Sequence, residues 1–108
     1  MTPEGKVKKK VVEQLKALGA VYFYPFSGGF STNGVSDIIA CLDGLFIAIE
    51  CKAGAKNATE LQKLFLRRVE SSGGFGVVIN ETNVGELTAL LTQWRAAHRE
   101  DSNGQQDL

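Results

Sequence analysis

Soft metal ligands are almost missing from this chain, which holds two cysteines and one histidine in 108 residues. His98 stands alone near the end of a helical pattern and reads as a helix-terminal surface group, not a general base. Cys41 and Cys51 have no partner at zinc-site spacing, so a Cys/His metal centre is excluded. Charge of one sign is missing too. Twelve Lys and Arg offset twelve Asp and Glu, so a polyanionic partner has to be held by a local patch and not by a global field. No apolar run reaches membrane-spanning length and no signal peptide is evident, which with the scarce cysteine points to a reducing, cytoplasmic (intracellular) setting. No internal repeat is visible, and the length suits one domain with a modest core.

What the chain does have is centred on residues 37–52. Two runs rich in Ile, Leu, Ala and Phe flank Asp43-Gly44, a dipeptide that favours the two-residue turn of a β-hairpin. With that turn, Leu42 pairs with Leu45 and Cys41 with Phe46, and Asp37 falls opposite Glu50. Alternation along the strand sends Lys52 to the same face as Glu50, and sets Cys41 and Cys51 on opposite faces, which disfavours a disulfide. Like charges directly opposite destabilise a hairpin. A divalent cation with oxygen ligands between the carboxylates accounts for the arrangement; an open hairpin end fraying into water is the alternative.

Upstream, Thr2-Pro3-Glu4 opens a helix with Thr2 as N-cap, Val7, Val11, Leu15 and Leu18 as its apolar stripe and Gly19 as its stop. Glu4 sits at the N-terminal end of that stripe, where the helix dipole favours a carboxylate. Lys6, Lys9 and Lys10 share another face, with Lys8 beside it: a solvated face or a phosphate contact. Residues 21–26 read as a strand, with Pro25 marking an edge or end. The glycine-rich stretch 27–34 is a hairpin connection or a mobile lip over the site. Gly29 and Gly34 have the separation of a phosphate loop, but Val35-Ser36 stands where Lys-Ser/Thr is needed, so nucleotide binding is rejected.

Downstream, Thr59 and Gln62 form a capping box for a helix with Leu61, Leu64, Phe65 and Val69 as its stripe, and Lys63, Arg67 and Arg68 as a second basic surface. Gly73-Gly74 stops it. Residues 76–79 read as a short strand buried between layers. Asn83 and Glu86 cap a last helix with Leu87, Leu90, Leu91 and Trp94 on one stripe; Trp94 is core or a dimer contact. The order is αβββαβα, an α/β fold with a mixed sheet and helices on both faces. The domain is expected over 1–98, with 99–108 a disordered tail.

Asp37, then Glu50-Cys51-Lys52 at the end of an apolar strand, resembles the active-site motif of the PD-(D/E)XK nucleases. The opening Thr2-Pro3-Glu4-Gly5-Lys6, Gly34-Val-Ser-Asp37, Ile49-Glu-Cys-Lys52, Thr59-x-x-Gln62 and Gly73-Gly74-x-Gly76-Val77-Val78 together resemble one branch, the virus-type replication-repair nuclease (VRR-NUC) domains. The match spans residues 2 to about 80. Stand-alone copies of this size are similar to phage or prophage proteins. Ser36 replaces the proline that often precedes the family's aspartate, a backbone-shaping position and not a ligand.

The resemblance implies a restriction-endonuclease-like fold and a divalent-metal-dependent DNA endonuclease. Asp37, Glu50 and Glu4 would hold Mg²⁺ or Mn²⁺ with the Cys51 backbone carbonyl, Lys52 would orient the attacking water and stabilise developing charge, and Gln62 would support the lysine or the water. Opposite charges favour the charged form of Lys52, so an electrostatic and orienting role is expected over that of a free base. The implied substrate is structured or branched DNA, Holliday-junction-like, cut by a homodimer, a repair-type activity. Candidate DNA contacts are Lys6, Lys9, Lys10, Ser27, Lys56 and Lys63. A non-catalytic nucleic-acid-binding module and a phage adaptor protein are the alternatives.

Overall fold

The computed structural model describes residues 1–25 and 34–106; Phe26, Ser27, Gly29 and the rest of the glycine-rich stretch before Gly34 lie outside them. The elements are α1 (Pro3–Leu18), β1 (Val21–Phe23), β2 (Ile38–Leu42), β3 (Leu45–Cys51), α2 (Glu60–Ser71), β4 (Phe75–Ile79), a 3-10 turn (Val84–Glu86) and α3 (Leu87–Gln106). Their order is the expected αβββαβα.

Local chemistry explains the ends of α1. The Thr2 hydroxyl accepts from the Gly5 N–H at 3.0 Å, Pro3 occupies the first turn, and Gly19 closes the helix at φ 82. The sheet runs β1-β2-β3-β4, antiparallel across the first three strands and parallel between β3 and β4. A parallel pair needs a crossover, and α2 supplies it.

The two faces of the sheet carry different packing. Ile38, Ala40, Leu42, Ile47, Ile49, Cys51 and Ile79 pack with Val7, Val11 and Leu15 of α1 and Leu87 and Leu91 of α3. On the other face Ile39 and Ala48 meet Leu66 and Val69 of α2. No helix among the described residues is long and apolar enough to cross a membrane.

Several expectations are corrected. β4 is not enclosed: it is an edge strand, and only Ile79 of its five residues is buried. Its apolar run reflects helices over both faces, while one side of its ladder stays open. On α2 the covered residues are Leu66 and Val69, whereas Leu61 and Leu64 point outward at 52% and 45% exposure; α2 lies mainly over β3 and β4. The last helix is not capped by Asn83 and Glu86. A 3-10 turn intervenes, and Asn83 instead accepts from the Asn80 N–H and donates to the Val78 carbonyl. The cap comes from α1, where Gln14 Oε1 accepts from the Thr88 N–H at 2.9 Å and from its hydroxyl at 2.6 Å. α3 itself runs from Leu87 to Gln106. Arg95 and Arg99 reach back to Asp43 in the hairpin turn, which ties α3 down beyond its apolar stripe.

Candidate active site

The site grows from one turn. Asp43 and Gly44 both adopt the left-handed region, at φ 54 and 81, as a type I′ hairpin requires. That fixes Leu42 against Leu45 and, four steps out, Ile38 against Ile49. One further step sets Asp37 across from Glu50, on the α2 face. The alternation that buries Ile49 under α1 therefore turns Glu50 the other way, toward the first turn of α2.

Glu50 is only 2% exposed. Its Oε1 accepts from Gln62 Nε2 at 3.1 Å and lies 3.9 Å from Lys52 Nζ. Its Oε2 is buried and has no hydrogen-bond partner among the described residues. Asp37 Oδ2 accepts from the Cys51 N–H at 2.8 Å, which anchors the aspartate at the mouth of the hairpin. Gln62 serves two ends at once: its Oε1 accepts from the Thr59 N–H at 2.8 Å while its own N–H accompanies the Thr59 hydroxyl in a complete capping box. The cap fixes which way the amide faces, so the NH₂ group is the end presented to Glu50.

Burial pushes the Glu50 carboxyl up to about 8; the neighbouring Asp37 carboxylate adds to that and Lys52 opposes it. Burial likewise pushes the Cys51 thiol up to about 12, with Asp37, Glu50 and Glu4 adding and Lys8 opposing. Cys51 is a buried core residue on the α1 face; Cys41 is exposed on the opposite face, and both are free.

Asp37, Glu50, Lys52 and Gln62 thus come together as expected. Glu4 stands apart from the pair. It lines a cavity of about 450 Å³ with Thr2, Pro3, Ala53, Gly54 and Lys56, and no group of three or more His, Cys, Asp or Glu spaced for a metal occurs among the described residues. Lys6 and Lys10 line an adjoining cavity of about 310 Å³ with Gly54, Glu81 and Val84. Lys9 is exposed on α1, and Lys63 pairs with Glu60 at 3.5 Å. A larger cavity, about 470 Å³, is bounded by Val35, Phe46, Phe65 and Arg68; it is lined by no carboxylate.

Two features escape the sequence reading. Gly34 has φ +95, and a Cβ there would lie 2.6 Å from the Leu61 carbonyl, so this glycine lets the chain into Asp37 pass directly over α2. Glu81 accepts from the Gly54 N–H, a contact across 27 residues that no local motif announces.

No protein-family model and no curated protein matches the chain. Among solved structures, a VRR_NUC domain superposes with a TM-score of 0.64 at 25% identity, covering 81% of this chain and 95% of that one. The fold of this chain is that of a VRR_NUC domain. Its four-stranded mixed sheet with three helices is the restriction-endonuclease-like form of a nuclease-domain family. Within that VRR-NUC frame the Asp37–Glu50 pair sits at the open end of the central hairpin.

Proposed function

We propose that this VRR-NUC domain hydrolyses DNA phosphodiester bonds with a divalent cation, Mg²⁺ or Mn²⁺, bound between Asp37 and Glu50. One observation carries the reading: Glu50 Oε2 is a buried carboxylate oxygen without a partner, beside a second carboxylate. An uncompensated polar atom of this kind costs about 1–3 kcal/mol or more, and two acids sharing a site repel. A cation answers both. The donors are all oxygen, which suits Mg²⁺ or Mn²⁺ better than zinc. In this proposal Asp37 and Glu50 hold the ion, with the Cys51 carbonyl as a further oxygen donor; Glu4 stands too far apart to share it. Bound there, such an ion polarises the phosphate and lowers the pKa of water.

The protein's own groups do the rest. Gln62 holds Glu50 Oε1, which leaves Oε2 free for a ligand role. The Cys51 N–H holds Asp37 in place. Lys52 brings an ammonium to the rim, 3.9 Å from Glu50 Oε1, where it orients water and stabilises charge developing on the phosphate. Lys6, Lys10 and Lys56 line the cavities next to the Lys52 strand end and are the phosphate contacts this reading favours, with Lys9 and Lys63 as outlying contacts; Ser27 lies outside the described residues.

We further propose a branched or structured substrate and a homodimer that places two sites for paired nicks. For the pairing surface, β1 is favoured over the Trp94 face of α3. Val21 and Phe23 on this edge strand are 73% and 56% exposed, whereas Trp94 packs against Phe75 and His98.

The test incubates purified protein with branched, nicked and linear DNA in Mg²⁺, Mn²⁺ or EDTA. Cutting that needs metal, is fastest on branched DNA and disappears in Asp37→Ala and Lys52→Ala is the expected result. Absence of cutting in either metal, or cutting that persists in both variants, defeats the proposal.

A further inference from the structure

β3 ends at Cys51, yet its ladder with β4 runs one step further. The Lys52 N–H donates to the Ile79 carbonyl at 2.9 Å. The chain then leaves the sheet through Ala53 and Gly54. Gly54 has φ +63, and open space surrounds the place a Cβ would take. Backbone rotation, and not crowding, therefore requires glycine at this bend. There the Gly54 N–H meets the carboxylate of Glu81, whose two oxygens lie 3.0 and 3.3 Å away. Glu81 follows Ile79 by two residues in sequence. The same end of β4 thus grips the chain twice, at Lys52 and two residues beyond it.

We infer that Glu81 is a positioning residue: by accepting the Gly54 N–H it fixes the bend after Lys52 and so holds the Lys52 ammonium at Glu50. The inference rests on the nuclease reading for the role of Lys52. Glu81 is exposed and contributes nothing to the core, so packing does not explain its contact. A glycine in the left-handed region has wide freedom when its N–H is released. Lys52 is the residue such freedom reaches first, because its side chain leaves the strand where the ladder ends.

The competing account is charge. Lys6 and Lys10 line the same cavity as Glu81 and Gly54, so Glu81 also offsets positive charge. Glu81→Gln separates the two accounts: it keeps an acceptor oxygen for Gly54 and removes the charge. Gly54→Ala separates them from the other side, since it strains the bend and alters no charge.

The experiment measures kcat and KM on the DNA that the wild type cuts, with amide hydrogen exchange at Cys51, Lys52 and Gly54. Because misplacing a reacting group by about 1 Å costs up to roughly a hundredfold, Glu81→Ala and Gly54→Ala are each expected to lower kcat roughly ten- to hundredfold, with KM rising less than about threefold. Exchange should quicken at Gly54 and Lys52, while the Cys51 amide, held by Asp37, stays protected. Glu81→Gln should recover most of kcat. A kcat within about twofold of wild type in Glu81→Ala, a Glu81→Gln as impaired as Glu81→Ala, or a neutral Gly54→Ala overturns the assignment. Should the wild type fail to cut DNA in any metal, the nuclease reading falls. Amide exchange then judges the contact alone, and unchanged protection at Lys52 and Gly54 in Glu81→Ala overturns that as well.

Discussion

Ile49 and Glu50 are neighbours on β3 and both are buried, at 0% and 2% exposure, but they belong to opposite worlds. Ile49 points into a face closed by two helices, where it belongs to the main apolar cluster. Glu50 points into a face covered by one helix, where Gln62, Lys52 and Asp37 are its surroundings. One residue of pleat separates the groups that hold the fold from the group held for chemistry. A single helix covers only part of a four-stranded sheet, so the α2 face keeps an open margin at which charged side chains can stand beside solvent and still be fixed.

That contrast can be broken at its strongest point first. Asp37→Ala should reduce DNA cleavage by at least about 10²–10³-fold and leave the melting curve close to wild type. Ile49→Ala should do the reverse, destabilising the fold by about 2–5 kcal/mol in denaturant titration while the residual folded protein keeps its cutting.

The second comparison concerns pH. Folded Glu50 keeps its proton up to about 8, against an ordinary value of 4.5. Between those values the folded state binds more protons than the unfolded state, so the metal-free domain gains its full contribution below about 4.5 and loses it as pH rises through about 8. Thermal melts in EDTA should therefore fall with pH across that window, by an amount on the order of a few kcal/mol. Glu50→Gln should flatten the slope, and Mn²⁺ added above the window should restore stability to wild type and not to the variant. A flat wild-type profile in EDTA would show that Glu50 ionises freely.

The smallest effect is also the cheapest to see. A thiol reagent at neutral pH should label Cys41, which is exposed, and spare Cys51, which is buried and held protonated by its surroundings. Cys51 should react only at the rate of global unfolding; rapid labelling of both thiols would mean that the closed face opens readily.

Much of the site was legible because its geometry is local. Asp43-Gly44 dictates a two-residue turn, the turn dictates the register, and the register sets Asp37 against Glu50 without any distant information. The capping box of Thr59 and Gln62 was equally readable. What stayed hidden was contact between segments far apart in sequence. The outward turn of Leu61 and Leu64 depends on where α2 crosses the sheet, and a helical repeat alone does not say which part of an apolar face is covered. The openness of β4 depends on no further strand adding beside it among the described residues. Arg99 was assigned to a tail because nothing nearby holds it; its partner Asp43 lies in the hairpin turn.

By itself, then, the amino-acid order determined the hairpin, its register, the helix ends and the carboxylate pairing, all set by backbone preferences acting over a few residues. The tertiary structure alone decided that Glu50 is buried with one oxygen unpartnered, that Gln62 reaches it while capping its own helix, and that Gln14 and Glu81 clamp distant backbone groups. Desolvation and non-local hydrogen bonds depend on which surfaces meet, and that is settled only when the helices pack on the sheet.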